Sequence, residues 1–290
     1  MAEVTGIASA LTLFWRPLAA AVFGGAACGV VGVWIVLMNI PFLGVTMSHA
    51  AFAGAVAGLL LGINPLISSF IFCVTASLLI GPVTESADLE PGVSLGIIFS
   101  VMLGLAFLGI GLLKGPRTEA LRLIWGNILL VTRTQVLVLV LTLTVILSFL
   151  ALFWKETKAV LFNREIARAV GIPERPVFLA LLLFAGAAIA ANLDTIGGLL
   201  IFSLIVNPPS AAYQLTWRLS TMYLLSTVFA IGSCLVGLGI SWLFDVPAGA
   251  VIIIISSLIF AVSLLLSPKR RRLPVEDLEP RALSDNQRID

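Results

Sequence analysis

The only histidine in the chain, His49, lies in a stretch that holds no Asp, Glu, Lys or Arg from Pro17 to Thr84. Imidazole is the side chain that both ligates borderline divalent metals and exchanges a proton near neutral pH. In so apolar a run an ionisable group is a functional-site candidate, facing a helix-bundle interior or a wet pathway rather than lipid. The competing reading is a packing imidazole hydrogen-bonded to a neighbouring carbonyl. Thr46 and Ser48 add hydroxyls close by, so a metal site of His49 with Thr46 and Ser48 is the candidate chemistry. Hydrolysis by Ser48 and His49 is not: neighbours on a helix point about 100° apart, and no second histidine exists to serve as the base.

Two further groups carry information. In the first, Asn163 reads as a helix N-cap, Glu165 sits in the first turn, Gly171 follows the last turn and Pro173 forbids continuation. Between them Ile166, Ala169 and Val170 share one side, with Arg164 and Arg168 a turn apart elsewhere, which predicts a two-turn helix outside the bilayer. The second is Asn207-Pro208-Pro209-Ser210, in which each proline removes a donor; such a break is tolerated in a membrane where it is packed in protein or lines a wet cavity. Asn207, Pro208 and Ser210 are therefore candidate pathway residues. Cys28, Cys73 and Cys234 are an odd set, each in an apolar stretch, and read as small buried side chains.

These groups need a membrane to hold them. Of 290 residues 60% are hydrophobic and 11% charged, with a mean hydropathy of +1.13. Such values lie outside the range of water-soluble domains. About 20 apolar residues cross a bilayer as a helix. Runs of that kind predict an all-α, polytopic membrane protein of about nine spans: 18–38, from 44, 66–81, 93–113, 134–154, 177–191, 195–213, 221–244 and 247–266. In the second span Ala50, Gly54, Gly58 and Gly62 recur every four residues and predict a close helix contact. His49 sits about 100° round from Ala50, on the face of Val45, Thr46, Phe52 and Ala53. The apolar piece 124–131 is too short to cross and reads as a surface or re-entrant helix.

The expected organisation is one transmembrane domain over 1–268, with 155–176 as its longest polar connection, and a polar tail over 269–290. Lys269 to Arg272 and the basic 155–175 interval lie an even number of spans apart, so both fit the cytoplasmic side. Asp194 and Asp245 fall at span ends and read as solvated. The net charge of +2 implies no nucleic acid, and no removable signal peptide is evident at Met1-Ala2-Glu3-Val4.

The sequence resembles the permease subunits of the ABC-3 manganese, zinc and iron importers over about Arg16 to Pro268. The matching pieces are Ser48-His49-Ala50, Gly126-Asn127-Ile128-Leu129, then Asn163, Glu165, Ala167, Gly171 and Ile172. Thr195, Gly197, Leu199, Leu200 and Pro208 follow, then Asp245-Val246-Pro247-Ala248-Gly249. The resemblance implies a type II ABC importer permease related in fold to the vitamin B12 importer's membrane subunit. It implies an inner (plasma) membrane location with a cytoplasmic C-terminus. The implied substrate is a divalent transition metal, and the implied partners are a second permease copy, cytoplasmic ABC ATPases and an extracytoplasmic metal-binding protein, besides membrane lipid. It implies that the polar helix, through Asn163, Glu165, Ile166, Ala167, Arg168 and Gly171, docks on the ATPase. No G-x-x-x-x-G-K-[ST] loop occurs, so ATP hydrolysis belongs to another subunit; the chain is expected to be non-enzymatic and without a cofactor of its own. Two positions depart from the family pattern: Val45 stands where an Asp commonly precedes the histidine, and Asn163 where an Asp is usual. The alternatives are an importer for a chelated metal or other small solute, and an ion-coupled carrier, which usually needs carboxylates in mid-membrane.

Overall fold

In a computed structural model the described residues are 2–86, 89–113, 118, 123, 126 and 128–269. The helices are α1 (Ala2–Leu37), α2 (Phe42–Leu61), α3 (Pro65–Ser86), α4 (Pro91–Leu112), α5 (Arg133–Leu152) and α6 (Trp154–Phe162). They continue with α7 (Arg164–Ala169), α8 (Glu174–Ile196), α9 (Gly198–Leu215), α10 (Leu219–Phe244) and α11 (Ala248–Leu265). A 3-10 turn, Ile128–Leu130, precedes α5. Among the described residues eight helical segments are long and apolar enough to cross a membrane, from Phe14–Leu37 to Ala248–Leu265. With α9 they match the nine expected spans. Most of the 114–127 segment and the tail beyond 269 lie outside the described residues.

The elements start and stop where backbone chemistry requires. Asn39 takes a left-handed φ of 55° between α1 and α2. Asn tolerates that conformation better than most residues. Thr132 and Gln135 form a reciprocal capping box, which opens α5. Asp245 closes α10 with a φ of 52° and is exposed, as expected.

Helix contacts follow the small residues. A Cβ added at Gly54 would come within 2.6 Å of the Ser68 carbonyl and 2.8 Å of the Phe72 Cβ, and one at Gly58 within 2.9 Å of the Pro65 Cα. So α2 and α3 pack nearly backbone to backbone through the predicted face. Gly62 does not belong to that face: it is the left-handed cap of α2, with open space around it. Buried polar bonds tie more distant elements, with the Trp34 indole N–H donating to the Tyr223 hydroxyl at 2.7 Å and the Ser226 hydroxyl donating to the Gly29 carbonyl at 2.6 Å.

Two further expectations need correction. The prolines do not break α9, which runs helically through Pro208 and Pro209; the interruption is at Gly197, where φ is 97° and the chain turns from α8 into α9. Glycine reaches that φ without a Cβ penalty, and it marks the corner better than the prolines do. Asp194 is not a solvated end residue, because α8 extends through Ile196 and draws it into the protein. Its Oδ2 accepts from the Gln135 side chain at 3.1 Å, while its buried Oδ1 has no hydrogen-bond partner among the described residues.

Candidate translocation and docking sites

The helix ends define two faces of the bundle. One carries α6, α7, the start of α8 and Lys269, and is called the docking end. The other carries Gly197 and the α10–α11 turn.

His49 projects from α2 toward α4 and is half-buried. Its Nδ1 lies 3.0 Å from the Val45 carbonyl one turn back, and its ring meets Phe99 of α4 edge-on, with centroids 4.8 Å apart. Thr46 is fully buried, and its hydroxyl is within 3.1 Å of the Phe42 carbonyl and 3.2 Å of the Leu95 carbonyl. Ser48 is buried and donates to the Gly198 carbonyl at the start of α9. The two hydroxyls are therefore engaged by different neighbours, one on α4 and one at the Gly197 corner. No group of three or more His, Cys, Asp or Glu is close enough to hold a metal ion among the described residues. What His49 offers by itself is one imidazole nitrogen, Nε2, beside an aromatic wall.

The Gly197 corner gathers residues from distant parts of the chain. Gly126, with a φ of 68°, sits so close to Ile196 and Gly197 that a Cβ there would overlap their backbone. Gly126, Ile128, Leu129, Thr195 and the run Val246 to Ala250 line one cavity of about 360 Å³ at this end. The short motifs scattered along the sequence thus meet around one corner. Asn207 and Ser210 are both half-buried on α9, and the Asn207 amide donates to Ser256 at 3.1 Å and to Ser257 at 3.0 Å, both on α11. Pro208 is buried.

At the docking end α7 has the predicted form. The Asn163 side chain accepts from the N–H groups of Glu165 at 2.8 Å and Ile166 at 3.0 Å. No charge is needed for that capping bond. Gly171, with a φ of 82°, lets its own N–H reach the Arg168 carbonyl and the Ile172 N–H reach that of Ala167, both at 3.0 Å, the pattern of a glycine-terminated helix. Ala167 is fully buried, whereas Ile166 is 54% and Val170 67% exposed, with Phe162 beside them at 83%. An apolar face open to water at the tip of a polar connection marks an interaction surface.

Sequence reasoning missed what holds that helix. Glu174, the first residue of α8, is buried and accepts from Arg164 Nε at 3.0 Å, from Arg164 Nη2 at 2.9 Å and also from Arg168. Arg164 further stacks on Phe178, 4.0 Å from its ring centre. Both ends of α7 are strapped to the first turn of α8. The only sequence signal was an acid in the first turn of a helix, which dipole arguments explain equally well.

A family model, that of the ABC 3 transport family, matches residues 10–267, nearly the whole chain. The chain belongs to the ABC 3 transport family. This ABC 3 protein is 30% identical over 255 residues to the manganese transport system membrane protein MntC of Halalkalibacterium halodurans, covering 88% of the chain and 87% of the relative. It is 26% identical to the high-affinity zinc uptake system membrane protein ZnuB of Haemophilus influenzae, over 83% of the chain and 92% of the relative. Among solved structures, PsaBC from Streptococcus pneumoniae in complex with Fab matches with a TM-score of 0.84 at 25% identity, over 94% of this chain and 100% of the other. The ABC 3 protein is accordingly a multi-span membrane subunit of a transporter and not an enzyme.

Proposed function

We propose that this chain is the permease subunit of an ATP-driven importer for a divalent transition metal, manganese, zinc or iron, working as a dimer in the inner (plasma) membrane. Its C-terminus and docking end face the cytoplasm, and α7 seats a separate ATPase. A binding protein on the opposite side delivers the ion. The observation that carries this reading is the exposed apolar face of α7 in a chain of this family, an isolated docking surface rigidly joined to a membrane helix. Similarity to a manganese transport protein and to a zinc uptake protein supports the metal class.

In this reading His49 is a weak, transient ligand. With no carboxylate at position 45 and the Thr46 and Ser48 hydroxyls engaged by other carbonyls, one imidazole completed by water holds a divalent ion loosely, which suits a site that must hand its ion on. The direct test is uptake of manganese, zinc and iron by vesicles holding the permease and its co-expressed ATPase. His49→Ala is expected to reduce uptake at least tenfold, a barrier change of about 1.4 kcal/mol, with the ATPase still bound. Normal uptake by that variant would leave the imidazole as a packing residue against Phe99.

One observation favours the second reading, an ion-coupled carrier: Asp194 keeps a buried carboxylate oxygen without a partner among the described residues. It lies in the last turn of α8 rather than mid-span, so the carrier reading stands second. Uptake that needs a proton gradient and no ATPase would establish it in place of the importer.

A further inference from the structure

At the docking end a cavity of about 530 Å³ opens between α6, the end of α9 and the turn into α10, and only Phe162 of its lining borders the α7 face. Its size is that of a small-ligand site. Trp154 and Lys158 come from α6, Tyr213 from α9, Trp217 and Arg218 from the turn, and Lys269 from the segment after α11.

Three features define its chemistry. Among the described residues three cations line it and no acidic residue does, and none of Lys158, Arg218 and Lys269 is in an ion pair. This contrasts with Arg164 and Arg168 at the same end, which share a carboxylate. Next, Lys269 is wedged against aromatic rings, its Nζ 3.5 Å from the centre of Tyr213 and 4.3 Å from that of Trp217. Partial burial holds its ammonium below the ordinary lysine range, a cost that an anion in the cavity would remove. Finally, the cavity lies at the level where helices end: α5 stops at Leu152 just before Trp154, α10 starts at Leu219, and α11 stops at Leu265. That is headgroup depth, where Trp and Tyr rings settle with one side wet.

The convergence of Lys158, Arg218 and Lys269 with Trp154, Tyr213 and Trp217 at headgroup depth leads us to propose that this cavity binds the phosphate of an anionic phospholipid from the adjoining leaflet. The cations take the phosphate oxygens. Leu37 and Met222, also in the lining, face the first carbons of the acyl chains. The N-terminus of α10, which has no side-chain cap, opens to the same space and adds a favourable dipole. A basic cavity of this kind differs from a general surface attraction because aromatic walls fix where the phosphate sits. The inference needs only that the chain lies in a membrane, and it is independent of the metal and of His49.

The experiment counts molecules retained by the full chain in detergent, by native mass spectrometry, during titration with phosphatidylglycerol, phosphatidylcholine or glycerol phosphate. The expected result is one phosphatidylglycerol kept in preference to phosphatidylcholine, with glycerol phosphate too weak to displace it. Each single neutralisation, Lys158→Gln, Arg218→Gln or Lys269→Gln, is expected to weaken retention about fivefold, and the triple variant to lose the preference. A control, Lys155→Gln with Arg133→Gln, removes charges that do not line the cavity and should change nothing. Equal retention of the two lipids, an unaffected triple variant, or an equal loss in the control would overturn the site. Binding of glycerol phosphate as tight as that of the lipid would overturn the lipid assignment and leave a soluble-phosphate site.

Discussion

Among single residues, the positions that matter most are those where a side chain is forbidden. Gly126 joins a left-handed backbone to direct contact with Ile196 and Gly197. Gly126→Ala meets both obstacles: about 1–2 kcal/mol for a Cβ in the left-handed region, and an overlap with backbone that no rotamer change relieves. A loss of about 2 kcal/mol or more is therefore expected, read as a fall in melting temperature of the purified protein. An unchanged melting temperature would mean that the Gly197 corner is looser than its packing indicates. His49 is the opposite case, a residue whose surroundings are ordinary and whose chemistry is not. Its Nδ1 lies against its own helix and its ring against Phe99, so Nε2 is what it has left to offer.

At the level of elements, α7 and the start of α8 act as one unit because Glu174 holds both Arg164 and Arg168. The arginines are 42% and 64% exposed, so solvent screens much of the charge attraction. The clasp contributes through its hydrogen bonds, about 1.5–3 kcal/mol each before that discount. If the ATPase acts on α7, the clasp is what passes the motion to α8 and so to the Gly197 corner. Glu174→Gln is expected to leave the complex assembled but to lower metal uptake per ATP hydrolysed several-fold. Exchanging the charges, with Arg164→Glu and Glu174→Arg together, should restore part of it. A purely structural role predicts instead that expression falls and that the coupling ratio of the surviving protein is normal.

Across the whole molecule, the long helices of the described residues form a bundle whose buried centre includes much of α1 and α2, while α4, α5 and α11 turn most of their apolar surface outward. A wet route through such a bundle would need polar side chains between helices, and Asn207 with Ser256 and Ser257 forms a seam of that kind. With the native cysteines replaced, a cysteine at Ser210 is expected to react with a water-soluble thiol reagent in at least one nucleotide state. One at Leu258, exposed on α11, should stay unreactive in lipid. Absence of labelling at Ser210 and Asn207 in every state would make the α9–α11 seam a packing contact only.

Local patterns along the chain were enough to establish the class of protein, the approximate number of long helices and the form of α7. Each of these depends on local physics: apolar runs long enough to cross a bilayer, an Asn cap, and a glycine that accepts a φ of 82° at position 171. They also marked His49, because one ionisable group in a charge-free run stands out without any knowledge of its neighbours. Folding was needed to show which carbonyls take the Thr46 and Ser48 hydroxyls, since Leu95 and Gly198 are far off in the chain and leave no periodicity to read. The same holds for the clasp on Glu174, the bond from Gln135 to Asp194, and the meeting of Gly126, Thr195 and Pro247 at one corner. These are contacts between elements, and a linear pattern records the face that an element must bury but not the partner that buries it.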